Sequence, residues 1–591
     1  SSHFSARERS VKFTVVAKFS RVFATAMTTR ALDQSAGGGF LKFPKEFVWG
    51  VATASYQIEG AVAEGGRKPS IWDDYVREPG RITDGKHADI ACDHYHRFRD
   101  DIKLMAYLGI KAYRLSISWS RVIPDGEGAV NEEGIKFYMD VIDCCLEHGV
   151  EPWVTIYHWD LPSALEADFK GWIGPKERIV TAFGEYARLL FTRFGSKVKY
   201  WMTLNEPRCT TMFGYANGEH APGRDQANGT EPYICAHNLL LAHGRASQIY
   251  HEEFQPTQGG FIGVVISSAW YHPFDPASES DKAAAQRALD FVIGQFSDPL
   301  FFGDYPAIMR EVCGDRLPKF TPEETKMITG SVDFYGINSY TTRFCTLPPP
   351  GEKCDLGLSM WGKPQKGGAF DDFGVNLKPW TGLEKTDMGW PVVPWGLREL
   401  CLYLTKRYQP KQGVIITENG CAWEPAISKD LDERPGALDP QLYVPSDANK
   451  EDFEHETFDD PERVKFFKLH LAAVHEANAL GADVRGYLAW SFMDNFEWGF
   501  GYWPRFGIVR VDYMNQKRTI KASGRFFAKA IKEEGFISLE EEHSPVAKRP
   551  KIDDPFARQI SDASTAYTEA GNGKDDSFAR VNLCMLGACS G

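Results

Sequence analysis

Eight short apolar runs recur along residues 40–537, and segments with apolar residues at helical spacing lie between them. Regular alternation of strand-like and helix-like segments predicts a parallel sheet, because each helix returns the chain to the start of the next strand. Eight rounds predict an α/β fold, a single (β/α)8 TIM barrel. The alternative is a doubly wound open sheet, which usually has a glycine-rich phosphate loop after its first strand; GVATASYQIEG has no such pattern. The eight runs are FVWGVATASYQ, KAYRLSISWS, EPWVTIYHWD, KYWMTLNEP, GFIGVVISSAW, VDFYGINSY, GVIITENG and VRGYLAWSF.

Composition and charge argue against several classes of function. The formal net charge of -13 disfavours a nucleic-acid partner. No run of 18 apolar residues is present, so we predict no membrane span. The 12 cysteines are scattered without a C-x-x-C pair, which indicates neither a zinc site nor a disulfide framework. This cysteine pattern favours a reducing, intracellular compartment, and we predict the cytoplasm.

The two ends of the chain differ from the predicted barrel domain, residues 40–537. Residues 1–39 are rich in Ser and Arg and poor in acidic residues, which is typical of an organelle transit peptide. A start at Met27 would instead make the residues before it a leader or a fragment end. Residues 538–591 are polar and aperiodic, and we predict a disordered tail. Its VAKRPKIDD segment resembles a nuclear-import signal, although a solvated charge run is the stronger interpretation.

Two long irregular insertions interrupt the alternation, at about residues 343–395 and 424–449. Both follow the ends of predicted strands, where the loops of a barrel build binding sites. Loops of this length are usually functional lids or disordered segments. We therefore predict that both insertions lie at the C-terminal face of the barrel.

Polar side chains close most of the predicted strands. Strand four ends in Asn205 and Glu206 and strand seven ends in Glu418, which predicts two carboxylates on opposite sides of the ring. The carboxyl ends of barrel strands all meet on one face, so these groups should converge there. The other strand ends contribute Gln57, Glu59, His158, Trp159, Asp160, Asn338, Tyr340, Trp490, Asp494, Asn495, Glu497 and Trp498.

Two converging carboxylates suit the cleavage of a glycosidic bond. Each raises the proton affinity of the other, so one can hold a proton while the other is ionised. The acid then protonates the leaving oxygen, and the carboxylate attacks the sugar or guides water. A separation of about 5 to 5.5 Å gives retention and about 6.5 to 9.5 Å gives inversion, and the residue pattern leaves both open. Structural ion pairs are the competing interpretation.

The motifs around these strand ends resemble glycoside hydrolase family 1, the β-glucosidase family. The resemblance covers roughly residues 43–527, in order and at suitable spacing. It implies a (β/α)8 barrel and retention of anomeric configuration. The motifs are FVWGVATASYQIEGA, YRLSISWSR, YHWDLP, TLNEP, GYANGEHAPG, DFYGINSYT, ITENG and AWSFMDNFEW followed by GYWPRFGIVRVD.

The resemblance implies a role for each matching residue. Glu206 in TLNEP would be the general acid/base and Glu418 in ITENG the nucleophile. Arg114 and Tyr340 would support that nucleophile. The positions that match sugar-binding residues are Gln57, His158, Asn205, Tyr340, Trp490, Glu497, Trp498 and Phe506.

The resemblance further implies a retaining β-glucosidase that releases terminal non-reducing β-D-glucosyl residues through a covalent glycosyl-enzyme. Its substrates would be small-molecule or oligosaccharide β-glucosides, without a cofactor, metal, nucleic acid or membrane partner. Nothing in the sequence sets the oligomeric state. One alternative is a transglycosylase, in which a sugar or alcohol replaces water. The other is a catalytically silent sugar-binding protein, which the loss of Glu206 or Glu418 would have indicated; both are present.

Overall fold

Eight parallel strands, here β1 to β8, close into a barrel in the computed structural model, which describes residues 39–357, 359, 365–424 and 458–539. Each predicted apolar run supplies one strand, so the predicted (β/α)8 barrel is confirmed. The strands are β1 Val48–Ala52, β2 Ala112–Ser116, β3 Glu151–Tyr157, β4 Tyr200–Asn205, β5 Phe261–Ser267, β6 Phe334–Asn338, β7 Val414–Asn419 and β8 Val484–Trp490.

A long helix follows each strand and packs on the outside of the barrel. In the helix Lys176–Phe194, for example, Ile179, Phe183 and Tyr186 recur at three- to four-residue spacing and are buried, which places them on the face toward the sheet. The eight helices are α1 His94–Tyr107, α2 Glu132–Glu147, α3 Lys176–Phe194, α4 Glu231–Ile249, α5 Glu279–Leu289, α6 Pro394–Tyr408, α7 Pro461–Ala479 and α8 Ala522–Glu533.

Shorter helices and strands accompany the eight barrel strands and the eight long helices. The short α-helices are Ser55–Ile58, Ile71–Tyr75, Trp119–Val122, Ser163–Phe169, Pro207–Tyr215, Gln255–Gln258, Gln295–Phe302, Ala307–Cys313, Pro322–Ile328 and Gly368–Phe373. Short 3-10 segments are Gly171–Ile173, Gly314–Arg316 and Trp498–Phe500, and π-helical turns are Tyr250–Phe254 and Asp290–Gly294. The strands outside the barrel are Phe40–Lys42, Trp270–Pro273, Thr342–Thr346, Asn376–Lys378, Val509–Asp512, Lys517–Ile520 and Gly535–Ile537.

The order of strands around the barrel follows the chain, and β8 closes the ring on β1 with Trp490 beside Ala52. Strands β4 and β7 are therefore separated by β5 and β6 on one side and by four strands on the other. Their carboxylates thus stand three strand positions apart, where four would be diametrically opposite, so they face each other across most of the barrel mouth, close to the predicted placement on opposite sides of the ring.

A plug of apolar side chains fills the interior of the barrel. Trp153, Met202, Phe334 and Leu488 are fully buried there and come from strands β3, β4, β6 and β8. The barrel is consequently a packed core and not a pore, as is usual for this fold. Chemistry can therefore take place only at the ends of the strands.

Part of the first predicted insertion forms regular structure beside the barrel mouth. Thr342–Thr346 lies between Trp270–Pro273 and Asn376–Lys378 in a three-stranded sheet. The second insertion lies outside the described residues apart from Glu424, as do residues 1–38 and 540–591 of the predicted terminal extensions. The predicted domain boundaries stay predictions. Within the described parts of the chain, no helix has both the length and the apolar character needed to cross a membrane.

Candidate active site

A cavity of about 310 Å³ opens at the carboxyl ends of the barrel strands. Nine of the eleven predicted site residues line it, and the other two, Gln57 and Arg114, lie directly behind lining residues. The nine are His158, Asn205, Glu206, Tyr340, Glu418, Trp490, Glu497, Trp498 and Phe506. The structure thus brings together side chains that are separated by more than 300 residues in the sequence.

Glu206 is the single residue between β4 and the helix Pro207–Tyr215. Its backbone is left-handed, with φ 46° and ψ 63°, a conformation that is costly for a non-glycine residue. Pro207 at the first helical position has no N–H to satisfy, and its fixed φ suits the start of a helix. The Glu206 N–H donates to the Val265 carbonyl at 2.9 Å. These constraints fix the carboxyl group at the barrel mouth.

The carboxyl group of Glu206 has two protein donors. Asn338 Nδ2 donates to Oε1 at 2.8 Å, and the Cys209 thiol donates to Oε2 at 2.9 Å. Burial and then the negative charge of Glu418 raise the pKa of Glu206 to about 7, and the two donors oppose that rise. Near neutral pH, Glu206 is therefore able both to give and to accept a proton.

The second carboxyl group, Glu418, is held by a cation and a hydroxyl. Arg114 Nη1 donates to Oε1 at 2.5 Å, and the Tyr340 hydroxyl donates to Oε2 at 2.6 Å. Burial raises the pKa of Glu418, and both partners oppose the rise because they stabilise the carboxylate. Burial also raises the pKa of Tyr340 well above its ordinary value, so the phenol stays protonated and donates. Glu418 thus has a cation and a hydroxyl that stabilise its carboxylate, whereas Glu206 has no cationic hydrogen-bond partner among the described residues.

Two asparagines connect the carboxyl groups. Asn205 Oδ1 accepts from Arg114 Nη2 at 2.6 Å and from Asn338 Nδ2 at 3.0 Å. Asn338 is the register neighbour of Glu418 across β6 and β7, and it also contacts Glu206. Its own Oδ1 accepts from the Thr417 hydroxyl at 2.7 Å, which fixes the orientation of the amide. This network sets the positions of both carboxyl groups together.

The remaining polar groups form the floor of the site. Burial, followed by the charges of Glu418 and Glu206, raises the pKa of Glu497 to about 8, so this carboxyl group can donate at neutral pH. Burial and Arg114 hold the pKa of His158 well below its usual range, so its ring is neutral. Gln57 Oε1 and His158 Nδ1 have no hydrogen-bond partner within the described chain. Buried polar atoms of this kind are able to pair with ligand hydroxyls.

Aromatic rings surround these polar groups. The ring centroids of Trp490 and Trp498 lie 6.0 Å and 5.9 Å from that of His158, and both pairs are stacked. Phe506 and Trp390 have ring centroids 6.0 Å apart. Polar groups with flanking rings suit a sugar, whose hydroxyls need hydrogen bonds and whose C–H face packs on an aromatic surface.

Three acidic strand ends do not reach the cavity. Glu59 accepts from Arg121 at 3.0 Å and from the Tyr138 hydroxyl at 2.6 Å, and Asp160 accepts from Ser55 at 3.1 Å. Asp494 accepts from the buried Lys521 at 2.8 Å. The structural ion-pair interpretation therefore holds for Glu59 and Asp494, whereas Asp160 accepts a hydrogen bond from a neutral hydroxyl and Glu206 has only neutral donors in the described chain.

Several lining residues have no counterpart among the predicted site residues. Asn338 closes β6, and its position at a strand end was the available signal. Cys209 lies three residues after Glu206, where a helical turn returns toward it, but the following helix must be known first. Tyr271, Arg343 and Trp390 lie in parts of the sequence that have no periodic pattern of apolar residues.

The arrangement can perform acid–base and nucleophilic chemistry with its own side chains. Within the described residues, no group of three or more His, Cys, Asp or Glu side chains has a geometry that could hold a metal ion. One carboxyl group that is protonated near neutral pH and one that is held as a carboxylate are the pair that glycosidic cleavage requires.

Comparison with known proteins agrees with this geometry. The sequence model of Glycosyl hydrolase family 1 matches residues 41–435 and 439–536. Beta-glucosidase 1B of Phanerodontia chrysosporium is 43% identical over 509 residues, which cover 82% of this chain and 85% of that protein. A mutant of the rice Os3BGlu6 β-glucosidase, solved in a covalent complex with Glc, is 39% identical with a TM-score of 0.72 and covers 82% of this chain and 98% of its own. A β-glucosidase of the fungus Humicola insolens in complex with glucose has the same identity and TM-score and covers 83% and 98%.

Proposed function

This chain belongs to glycosyl hydrolase family 1 and is a retaining β-glucosidase, and we propose that Glu206 is its general acid/base and Glu418 its nucleophile. The observation that carries the assignment is the contrast between their surroundings. Glu418 is paired with Arg114, whereas Glu206 has only neutral donors and a pKa of about 7. The group that favours its charged form is the better nucleophile, and the group that titrates near neutrality is the better proton donor.

In the first step, a Glu418 carboxylate oxygen attacks the anomeric carbon from the face opposite the leaving group. Glu206 transfers its proton to the glycosidic oxygen as that bond breaks, so the aglycone departs as a neutral alcohol. The product is a glucosyl ester of Glu418 with the α configuration. The hydrogen bonds that Arg114 and Tyr340 donate to Glu418 weaken in this step, because the carboxylate loses its negative charge as the ester forms.

In the second step, Glu206 works as a base. Esterification removes the negative charge of Glu418, which is one of the two causes that raise the pKa of Glu206. The pKa of Glu206 consequently falls, and the carboxylate takes a proton from the attacking water. The water oxygen displaces Glu418 from the opposite face, so glucose leaves with its original β configuration.

The polar floor of the cavity supports a glucosyl unit as the bound sugar. We propose that its hydroxyls are bound by Asn205, His158, Glu497, Gln57 and Trp498. We propose further that Trp490 packs on its carbon face and that Phe506 lies near its hydroxymethyl group, as the family resemblance implies. The substrates we propose are aryl and alkyl β-D-glucosides and short β-gluco-oligosaccharides. The presence of both carboxyl groups argues against a silent sugar-binding protein, and the transglycosylase alternative is not favoured because the named relatives are β-glucosidases.

Trapping of the covalent intermediate tests the assignment. Incubation with an activated 2-deoxy-2-fluoro-β-glucoside should add one sugar mass to the intact protein, and peptide mapping should place it on Glu418. The electronegative fluorine slows both steps, while the good leaving group lets the first step proceed, so the ester accumulates. The protein should also hydrolyse p-nitrophenyl β-D-glucoside. Hydrolysis with an adduct on any other residue would contradict the assignment of the nucleophile.

The pH dependence of kcat/KM is expected to be bell-shaped, with a falling limb near pH 7. Activity requires protonated Glu206, so it is lost as pH rises through the Glu206 pKa of about 7. It also requires ionised Glu418, so it is lost as pH falls through the pKa of that group. Initial rates with p-nitrophenyl β-D-glucoside at low substrate concentration measure both limbs. If the falling limb persisted in Glu206→Ala with an activated substrate, Glu497, whose pKa is about 8, would be its source.

Replacement of Cys209 by valine is expected to move this falling limb to higher pH. The thiol donates to Glu206 Oε2 and stabilises the ionised form, so its loss raises the pKa of Glu206. Glu206 then stays protonated to a higher pH. Cys209→Ser keeps a donor of similar size and is the matched control, with a profile close to that of the wild type. A falling limb at the same pH in all three proteins would rule out this role of Cys209.

A further inference from the structure

One face of the three-stranded sheet beside the barrel mouth forms a wall of the active-site cavity. Tyr271 and Arg343 are direct register partners on adjacent parallel strands, so their side chains point to the same side of the sheet. Leu377 lies on the third strand, and all three residues line the cavity. This wall comes from elements outside the barrel, whereas the catalytic carboxyl groups stand on the barrel strands.

A second arginine approaches the same wall from the catalytic side. Arg208 lies two residues after Glu206 on the helix Pro207–Tyr215 and also lines the cavity. Its guanidinium lies 5.8 Å from the centre of the Phe373 ring, and its Nη1 donates to the Phe291 carbonyl at 3.2 Å. Burial raises the pKa of Tyr271, and the charges of Arg208 and Arg343 both oppose that rise, so both guanidiniums act on the same hydroxyl.

Neither guanidinium has a carboxylate partner within the described residues. This contrasts with Arg316, which lies close by and is bound by both oxygens of Asp372. The acidic residues that line the cavity are Glu206, Glu418 and Glu497, and none of them forms an ion pair with Arg208 or Arg343. Two half-buried cations that pair with no carboxylate of residues 39–357, 365–424 or 458–539 therefore line the cavity beside aromatic rings.

We propose that Arg208 and Arg343 form an anion subsite that selects β-glucosides of aromatic carboxylic acids. The proposal rests on the function proposed above and names the class of aglycone. A guanidinium fork matches the two oxygens of a carboxylate, and charge-assisted hydrogen bonds of this kind are among the strongest in proteins. The aromatic part of the aglycone packs between Tyr271, Phe373 and Trp390, which all line the cavity.

A neutral oligosaccharide aglycone fits this wall less well. Sugar hydroxyls can accept hydrogen bonds from arginine, but they leave both positive charges without compensation. In a partly enclosed site an uncompensated cation attracts an anion more strongly than it would in bulk water. An aromatic carboxylic acid as aglycone offers a carboxylate to the two guanidiniums and a ring to the aromatic side chains of the wall.

A matched pair of substrates tests the subsite. We would measure kcat/KM for 3-carboxyphenyl β-D-glucoside and for its methyl ester with the wild type and with Arg343→Gln and Arg208→Gln. The ratio of acid to ester should fall about tenfold in each variant, the scale of one lost charge-assisted hydrogen bond. The loss should lie in KM, because the carboxylate is far from the reacting bond. Differences in leaving-group acidity cancel, because each variant is compared with the wild type on the same pair.

Arg188→Gln is the matched control. Arg188 lies on α3, pairs with Glu253 and lies outside the cavity lining, so its removal should leave the ratio of acid to ester at the wild-type value. Raising the salt concentration from about 20 mM to about 500 mM should lower the ratio for the wild type itself, because salt screens the ion pair. That measurement needs no variant and tests the proposal even if a substituted protein fails to fold.

The outcomes separate the subsite from the underlying function. Hydrolysis of both substrates with a ratio that changes neither in the arginine variants nor with salt would overturn the subsite alone. A higher ratio in Arg343→Gln would also overturn it. Failure of the wild type to hydrolyse either substrate or p-nitrophenyl β-D-glucoside would overturn the function, and the subsite with it.

Discussion

Glu418→Gln is expected to lower kcat for p-nitrophenyl β-D-glucoside by roughly five orders of magnitude, the scale on which other hydrolases respond to loss of a catalytic nucleophile. Glutamine keeps the size of the side chain but has no carboxylate to attack the anomeric carbon. The neutral amide also leaves Arg114, which is fully buried, without its anionic partner. Stopped assays over hours, with nitrophenol measured by absorbance, provide the required range.

A rescue experiment identifies the role of Glu418 and not merely its importance. In Glu418→Gly, added azide can enter the space of the missing carboxylate and attack the anomeric carbon once. A single displacement inverts the configuration, so the product should be α-glucosyl azide. Recovery of β-glucosyl azide from this variant would show that another residue still forms the covalent ester, and the nucleophile assignment would be wrong.

The loss of kcat/KM in Glu206→Ala is expected to depend on the acidity of the leaving group. For an alkyl glucoside, kcat/KM should fall by about 10²- to 10⁴-fold, the usual contribution of general acid catalysis. For 2,4-dinitrophenyl β-D-glucoside the first step needs no proton, so kcat/KM should change little. The second step still lacks its base, so the glucosyl ester on Glu418 should accumulate and appear as a burst of dinitrophenol.

Azide also tests the role of Glu206 as the acid/base. In Glu206→Ala, azide needs no base and attacks the accumulated ester, so kcat for the dinitrophenyl substrate should rise. Two displacements have then occurred, and the product should be β-glucosyl azide, the opposite anomer from that of Glu418→Gly. Equal losses on the alkyl and dinitrophenyl substrates would contradict the acid/base assignment. Cys209→Ser, which leaves both carboxyl groups in place, is the control in both assays.

The sequence alone was sufficient to predict the barrel. Its signal is local, because each strand is a short buried run and each helix repeats apolar residues every three to four positions. The ends of the strands can also be read from the sequence, which predicts Glu206, Glu418 and part of the cavity lining, although it does not predict Tyr271 or Arg343. The resemblance to a family then supplied roles that spacing could not, because a role depends on the neighbours of a side chain.

Other features depended on the closed barrel. Asn338 reaches Asn205 across 133 positions of sequence, and Arg114 reaches Glu418 across 304. Closure of the ring also sets how far apart the two carboxylates stand, with β5 and β6 between them on one side and four strands on the other. No local pattern encodes such pairs, because strand order and register set them.

The sequence by itself determined the elements and the chemistry available at their ends, since short-range spacing decides which residues are buried and which close a strand. Only the tertiary structure decided which of those ends meet. Glu59, Asp160 and Asp494 end in structural hydrogen bonds, while Arg208 and Arg343 face the cavity beside Tyr271. The physical reason is that the pKa of a carboxyl group and the partners of a guanidinium are set by distances of a few ångströms, and packing brings those atoms together from distant parts of the chain.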